Sequence, residues 1–323
     1  MPRILISASF SETELARQTP GGSGRWEDFE FIFSPTGEPV DGWVVYDNLQ
    51  QPLEQLCPPG NTLLLTGEPA SVRRYRSRFT SQFAQVWTAQ REIKHPRVTY
   101  RNEGQRWYYA MNDSQSHGAA LGYDQLRQLA CPNKTKLLSV ICSNKQVTPD
   151  HRQRIEFTRY LQMQLGDELD IFGRGWYGMD DKADAIWPYK YHIVLENDHS
   201  DYYMTEKLTD AYLGWSYPIY FGGSEANHRF PKGSFTAIDI YQPKKSLASI
   251  RELLNRPTYE TALPSIAGAR QAVLEKHNLF AMLADYWREN LVTGRPQMTK
   301  LLPKSHRARL VIQQLGRTLC GAA

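Results

Sequence analysis

Two short, largely apolar runs constrain this chain most: Asn61-Thr-Leu-Leu-Leu-Thr66 and Leu137-Leu-Ser-Val-Ile-Cys142, one in each half. A strand with consecutive apolar residues instead of a polar alternation has no face left for water. It belongs in a parallel sheet covered by helices on both sides. Similar runs flank the first: Arg3-Ile-Leu-Ile-Ser7, Phe29-Glu-Phe-Ile-Phe33, Trp43-Val-Val-Tyr46 and Gln85-Val-Trp-Thr88, with a helical pattern over 70–83. The second is followed by a helix opening at Pro149-Asp150, whose Ile155, Thr158, Leu161 and Leu165 share one face. Strands are then expected at Leu169-Asp-Ile-Phe-Gly173, His192-Ile-Val-Leu195 and Pro218-Ile-Tyr-Phe221, with a helix over 205–213. The alternation predicts an α/β fold with two Rossmann-like, doubly wound domains facing across a cleft.

The length of 323 residues agrees with two domains at about 150 residues each. The polar stretch Cys131-Pro-Asn-Lys-Thr-Lys136 is the natural boundary. It divides the chain into a domain over 1–135, a domain over 136–290 and a basic tail over 291–323. That tail holds Arg295, Lys300, Lys304, Arg307, Arg309 and Arg317 and no acid. It reads as a solvated helix face or as a contact with an anionic membrane surface. The four cysteines (Cys57, Cys131, Cys142 and Cys320) lack CxxC or zinc-ligand spacing, so a reducing compartment is expected. With no signal-peptide pattern at the start and no membrane-length apolar run, the expected location is cytoplasmic, either free or peripheral to the inner face of a membrane. A net charge of +4 suits a phosphate-bearing ligand, whereas no nucleic-acid motif is present.

Ligands of open parallel sheets bind beyond the carboxyl ends of the strands. In the second half those ends are Ser143-Asn144, Gly173-Arg-Gly175, Glu196-Asn197 and Gly222-Gly223. The segment Tyr202-Tyr203-Met204-Thr205-Glu206-Lys207 leads into a helix, and a helix N-terminus favours phosphate. Lys207 would add a point charge, Arg154 a bidentate one, and Glu206 an acceptor for ribose hydroxyls. By spacing alone, a Glu-Lys pair at a helix start is more often a solvated cap.

The wider pattern is more specific. Trp187-Pro-Tyr-Lys190-Tyr-His-Ile-Val-Leu-Glu196-Asn197, followed by Asp201-Tyr-Tyr203-Met-Thr205-Glu206-Lys207-Leu-Thr-Asp-Ala211, resembles the signature of the α1,3/4-fucosyltransferases, glycosyltransferase family 10. That signature runs Tyr-Lys-Phe, Phe-Glu-Asn, Tyr-x-Thr-Glu-Lys. Pro218-Ile-Tyr-Phe-Gly222-Gly and Phe230-Pro-Lys-Gly-Ser-Phe235 continue it, as does Ser143-Asn144 ahead of the Arg154 helix. The resemblance covers about 137–245 and departs from the pattern at Leu195 and His192-Ile-Val. It implies a GT-B fold, GDP-fucose as donor and inversion at the sugar carbon. Arg154 and Lys207 would neutralise the diphosphate, and Glu206 would hold the ribose. Tyr203 and Asn197 would line the donor pocket together with Ser143, Asn144, Gly173 and Thr205, and Glu196 would orient the loop or touch the sugar.

An inverting transfer needs a base for the acceptor hydroxyl and charge stabilisation for the departing diphosphate. Glu68, in the tight Gly67-Glu68-Pro69 turn after a buried strand, is the candidate base, as the resemblance also implies; His95 and Glu103 are weaker candidates. Asp180-Asp181-Lys-Ala-Asp184 reads as a solvated turn, not a metal motif. With Arg154 and Lys207 supplying charge, no essential metal or other cofactor is expected. Gly21-Gly-Ser-Gly24 lacks dinucleotide-loop spacing and reads as a flexible acceptor-side loop. Trp26, Trp107, Tyr108 and Tyr109 offer faces to a sugar ring or packing to a core. The alternatives are the same fold with another nucleotide sugar, or a non-catalytic glycan- or polyanion-binding protein on a transferase scaffold.

Overall fold

The computed structural model describes residues 1–8, 13–102, 104 and 106–304. The chain forms two compact units: Met1–Glu12, Arg25–Tyr100 and Tyr286–Ala323 make the first, and Thr13–Gly24 with Arg101–Asp285 make the second. The first boundary thus lies at 100, not at 135. Residues 101–135 are tied into the second unit. Trp215 Nε1 donates to the Leu129 carbonyl (3.1 Å), and Asp181 accepts from the backbone N–H groups of Ala110, Met111 and Asn112 at 2.7, 2.9 and 2.9 Å. Polarity around 131–136 misled because Lys134 is buried: its ammonium donates to the Trp187 and Gly214 carbonyls at 2.7 and 2.6 Å.

Unit 1 carries a seven-stranded sheet in the order β2-β3-β1-β4-β6-β7-β8. These strands are β1 (Arg3–Ala8), β2 (Arg25–Trp26), β3 (Phe29–Ile32), β4 (Gly42–Tyr46), β6 (Thr62–Leu65), β7 (Gln85–Thr88) and β8 (Val98–Tyr100). All pairs are parallel except β2 with β3. β4, β6 and β7 are buried along their whole lengths, as their apolar runs require. Gly42 starts β4 because a Cβ there would lie 3.0 Å from Ile4 Cδ1 and 3.2 Å from the buried Trp287 ring. The expected helix over 70–83 is reduced to Ser77–Thr80. Upstream of it, Arg73 and Tyr75 bond Asp47, and Gln90 Nε2 donates to the Glu68 and Arg73 carbonyls (both 2.7 Å). Those tertiary bonds replace an intrahelical ladder. Part of the basic tail is also structure: β14 (Gln297–Leu301) pairs antiparallel with β5 (Leu53–Cys57), and Lys300 pairs with Glu54 at 2.8 Å. Arg307, Arg309, Arg317 and Cys320 lie outside the described residues.

Unit 2 holds a five-stranded parallel sheet, β10-β9-β11-β12-β13, from β9 (Lys136–Ile141), β10 (Leu169–Phe172), β11 (Tyr189–Leu195), β12 (Tyr217–Phe221) and β13 (Thr236–Ala237). The chain steps from β9 outward to β10, then returns to the other side of β9 with β11. Strand order therefore reverses between β9 and β11, where open α/β sheets bind ligands. Counting the short helices at Thr13–Ala16, Ser77–Thr80 and Tyr123–Gln128 as α1–α3, the helices that frame this point are α4 (Pro149–Leu165), α5 (Lys182–Ile186) and α6 (Glu206–Leu213). No helix among the described residues is long and apolar enough to cross a membrane.

Candidate active site

At the ends of β9 and β10, two predicted segments meet. The Asn144 N–H donates to the Arg174 carbonyl (3.1 Å). Gly173 has φ +114°, and a Cβ there would lie 2.5 Å from the Cys142 carbonyl oxygen; both its conformation and its closeness to β9 require glycine. Asn144, Gly175, Arg159 and Trp176 line a cavity of about 400 Å³ along one flank of α4.

The next helix end carries a buried cation. Thr148 caps α4 by accepting the His151 N–H (3.1 Å), with Pro149 in the first turn. Arg154, one turn on, is 3% exposed. Its Nη1 donates to the Leu195 carbonyl at the end of β11 (3.1 Å), so its guanidinium bridges the sheet's switch point. Its Nε is buried without a partner. Among the described residues no carboxylate forms an ion pair with it, which leaves a buried charge uncompensated. His151 reports the local field. Burial first, then Arg154, Lys145 and Lys207, push its pKa down to about 4, so the ring is neutral at pH 7.

The α6 end is organised by a buried acid. Glu196 is 0% exposed and accepts from Thr205 N (2.7 Å), Thr205 Oγ1 (2.6 Å) and Lys207 Nζ (3.2 Å). It braces the cap of α6. Glu206 accepts from Lys182 at 3.2 Å, with Lys207 at 3.7 Å. Burial raises its pKa, yet Lys182 and Lys207 outweigh burial and hold it down to about 2. Gly222 and Gly223 follow β12 because this loop presses on them. A Cβ would come 2.7 Å from Glu196 Cγ at Gly222 and 2.4 Å from the Ser200 carbonyl oxygen at Gly223.

Comparison with known proteins relates this site to a family. A model of the glycosyltransferase family 10 (fucosyltransferase) C-terminal domain matches residues 131–260. That span is similar to the family's C-terminal domain. Alpha-(1,3)-fucosyltransferase 4 of Mus musculus is 30% identical over 155 residues, 46% of this chain and 33% of that protein. Its Homo sapiens counterpart is 34% identical over 115 residues, 33% of this chain and 21% of that protein. The chain thus matches about a third or less of these relatives' lengths. A crystal structure described as an alpha1,3-fucosyltransferase superposes with a TM-score of 0.52 at 17% identity, covering 91% of this chain and 90% of that one. The fold is of the GT-B class, with a Rossmann-like parallel sheet in each unit.

Within the matched span, Arg154, Glu196, Thr205, Glu206 and Lys207 lie around the ends of β9 and β11. Asn197 is half-buried at the end of β11. Tyr203 is 3% exposed, and its carbonyl accepts from Gly223 N (3.1 Å). Ser143 is half-buried and lies just past Cys142 after β9.

Other expectations need correcting. Trp107 and Trp26 are 1% and 7% exposed and pack into cores, which leaves neither face for a sugar. Tyr109 is fully buried. Tyr108 is half-buried, with the Arg106 guanidinium 4.2 Å and the Lys182 ammonium 4.8 Å from its ring centroid. The glycine loop is pinned: Gly21 N donates to the Asp124 carboxylate (2.6 Å), Gly22 N to the Thr19 carbonyl (2.9 Å) and Gly24 N to Thr19 Oγ1 (2.9 Å). Asp181-Lys182 is no solvated turn. Asp181 is 4% exposed and caps α5 through Ala183 N (2.8 Å), and Lys182 bonds Asp210 (2.7 Å). Sequence reasoning missed Lys182 and Asp210. Glu206 and Asp210 stand one helical turn apart on α6, and such a like-charge pair calls for a cation from elsewhere.

In unit 1, Glu68 is half-buried in the turn after β6. The turn is clamped by Gln90, and Asp47 and Glu68 both act on the charges of Arg73 and Lys304. His95 has a structural role: Nε2 lies 3.0 Å from the Phe83 carbonyl oxygen, and Nδ1 accepts from Arg97 N (3.1 Å). Glu103 lies outside the described residues.

Proposed function

We propose that this chain is an inverting glycosyltransferase that moves fucose from GDP-fucose to a hydroxyl of a glycan or glycoconjugate. The carrying observation is Arg154, a buried guanidinium with an unpartnered Nε and no carboxylate counter-charge among the described residues. It stands between two capped helix N-termini at the switch point of the matched span. An anion with several oxygens, such as a diphosphate, answers the buried charge, the dipole ends of α4 and α6 and the Lys207 ammonium together. Glu206, ionised throughout the working pH range, would accept ribose hydroxyls. The cavity beside Asn144 and Trp176 is suited to a planar base.

In the proposed reaction, the acceptor hydroxyl oxygen attacks the anomeric carbon of the fucosyl group as the bond from that carbon to the diphosphate oxygen breaks. The hydroxyl proton passes to Glu68. The charge released on the β-phosphate is taken up by Arg154 and Lys207. Unit 1 would serve the acceptor and unit 2 the donor. The test is a thermal-shift panel of nucleotides and nucleotide sugars, followed by donor-hydrolysis assays. Stabilisation by GDP and GDP-fucose but not by UDP is the expected result. A protein that no guanine nucleotide stabilises would refute the donor assignment and favour a binding protein on the same scaffold.

A further inference from the structure

A file of five charges with alternating sign runs through unit 2. It begins at Glu196, passes to Lys207 (3.2 Å), Glu206 (3.7 Å) and Lys182 (3.2 Å), and ends at Asp210 (2.7 Å). The carboxylates of Glu196 and Asp210 have no solvent exposure. The second oxygen of Asp210 accepts the N–H groups of Tyr108 and Tyr109 at 3.0 and 3.1 Å. The file therefore joins the end of β11 to the segment that follows Arg106.

The set contains three carboxylates and two ammonium groups. Lys182 is the member that touches both acids of α6. Burial works against its charge, but Asp210 and Glu206 push its pKa up, so it stays charged. Without it, Asp210 would be a buried acid with no cation in the file. Glu196 and Glu206 would then compete for Lys207 alone, and Lys207 would be drawn away from a phosphate.

We propose that Lys182 is a positioning residue of the donor site. By holding Glu206 and Asp210 together it fixes the Glu206 carboxylate for the ribose and leaves the Lys207 ammonium able to turn to the diphosphate. This rests on the donor assignment above. Lys182 acts through its two acids and touches no reacting atom.

The test compares GDP with 2′,3′-dideoxy-GDP, which lacks both ribose hydroxyls, by calorimetric titration of the full chain. Wild type should prefer GDP by roughly tenfold, the scale of a charge-assisted hydrogen bond. Lys182→Met should weaken GDP by roughly tenfold and bring that preference close to one, and Lys182→Arg should restore it. In a Glu206→Gln background, Lys182→Met should change GDP affinity by less than about twofold, because residues acting through one contact are not additive. Should Lys182→Met fail to fold, Lys182→Met/Asp210→Asn removes the orphaned acid and answers the same question. A Lys182 variant that melts lower yet keeps the wild-type preference overturns the proposal and leaves the donor assignment standing. A wild-type chain that binds neither nucleotide overturns both.

Discussion

Replacing Arg154 with methionine separates a binding residue from a structural one, because the two roles predict opposite signs. Among the described residues the Arg154 guanidinium makes one bond, to the Leu195 carbonyl at 3.1 Å, and its Nε is unsatisfied at 3% exposure. One net hydrogen bond contributes about 1 kcal/mol, whereas a buried polar group without a partner costs about 1–3 kcal/mol. The balance at this residue is unfavourable until an anion arrives. Arg154→Met keeps most of the stem volume and removes the unmet charge. The ligand-free chain should therefore melt at the wild-type temperature or up to about 4 °C higher, on the scale of 1 kcal/mol for a unit of this size. GDP binding should weaken by about 1.5–3 kcal/mol, the range for a hydrogen bond to a charged group, which is roughly tenfold to 150-fold in Kd. Differential scanning calorimetry with and without GDP, together with calorimetric titration, measures both. A variant that melts several degrees lower while binding GDP as wild type does would show that Arg154 is a structural clasp on β11, and the donor assignment would lose its main support.

Two further outcomes follow from the same geometry. Glu68→Gln should lower transfer by at least about 100-fold, the smaller end of what a general base contributes, with GDP affinity within about twofold of wild type; unimpaired transfer in a coupled GDP-release assay would remove Glu68 from that role. Burial and nearby cations push His151 down to about 4, His192 to about 3 and His277 to about 4. Each binds fewer protons folded than unfolded, so stability should fall as pH drops from about 6.5 toward 4. Urea unfolding at pH 7 and pH 4.5 checks this, and His151→Gln should flatten part of the slope.

The strands were legible where burial concentrates apolar residues in a short run. Val86-Trp87, Ile171-Phe172 and Val140-Ile141 are the cores of three such runs. Pro149-Asp150 and Thr205-Glu206 were legible as helix starts because the chemistry of a helix N-terminus is local. The short strands β5 and β14 were not, since their pairing partner lies more than 200 residues away in sequence and neither run is apolar throughout. The stretch 70–76 carries a helical pattern, but bonds from Asp47 and Gln90 decide its path.

By itself the sequence determined two parallel α/β units and a charged helix start at Thr205-Glu206-Lys207 placed after a strand. Those are consequences of burial pattern and capping, which act over a few residues. Tertiary structure decided the electrostatics. It left Arg154 buried with no carboxylate partner among the described residues, turned Glu196 inward as a brace, placed Trp26 and Trp107 in cores, and brought Lys182 between Glu206 and Asp210. A side chain's charge is written in the sequence, but its worth depends on what surrounds it once water is excluded, and residues far apart in the chain supply those surroundings.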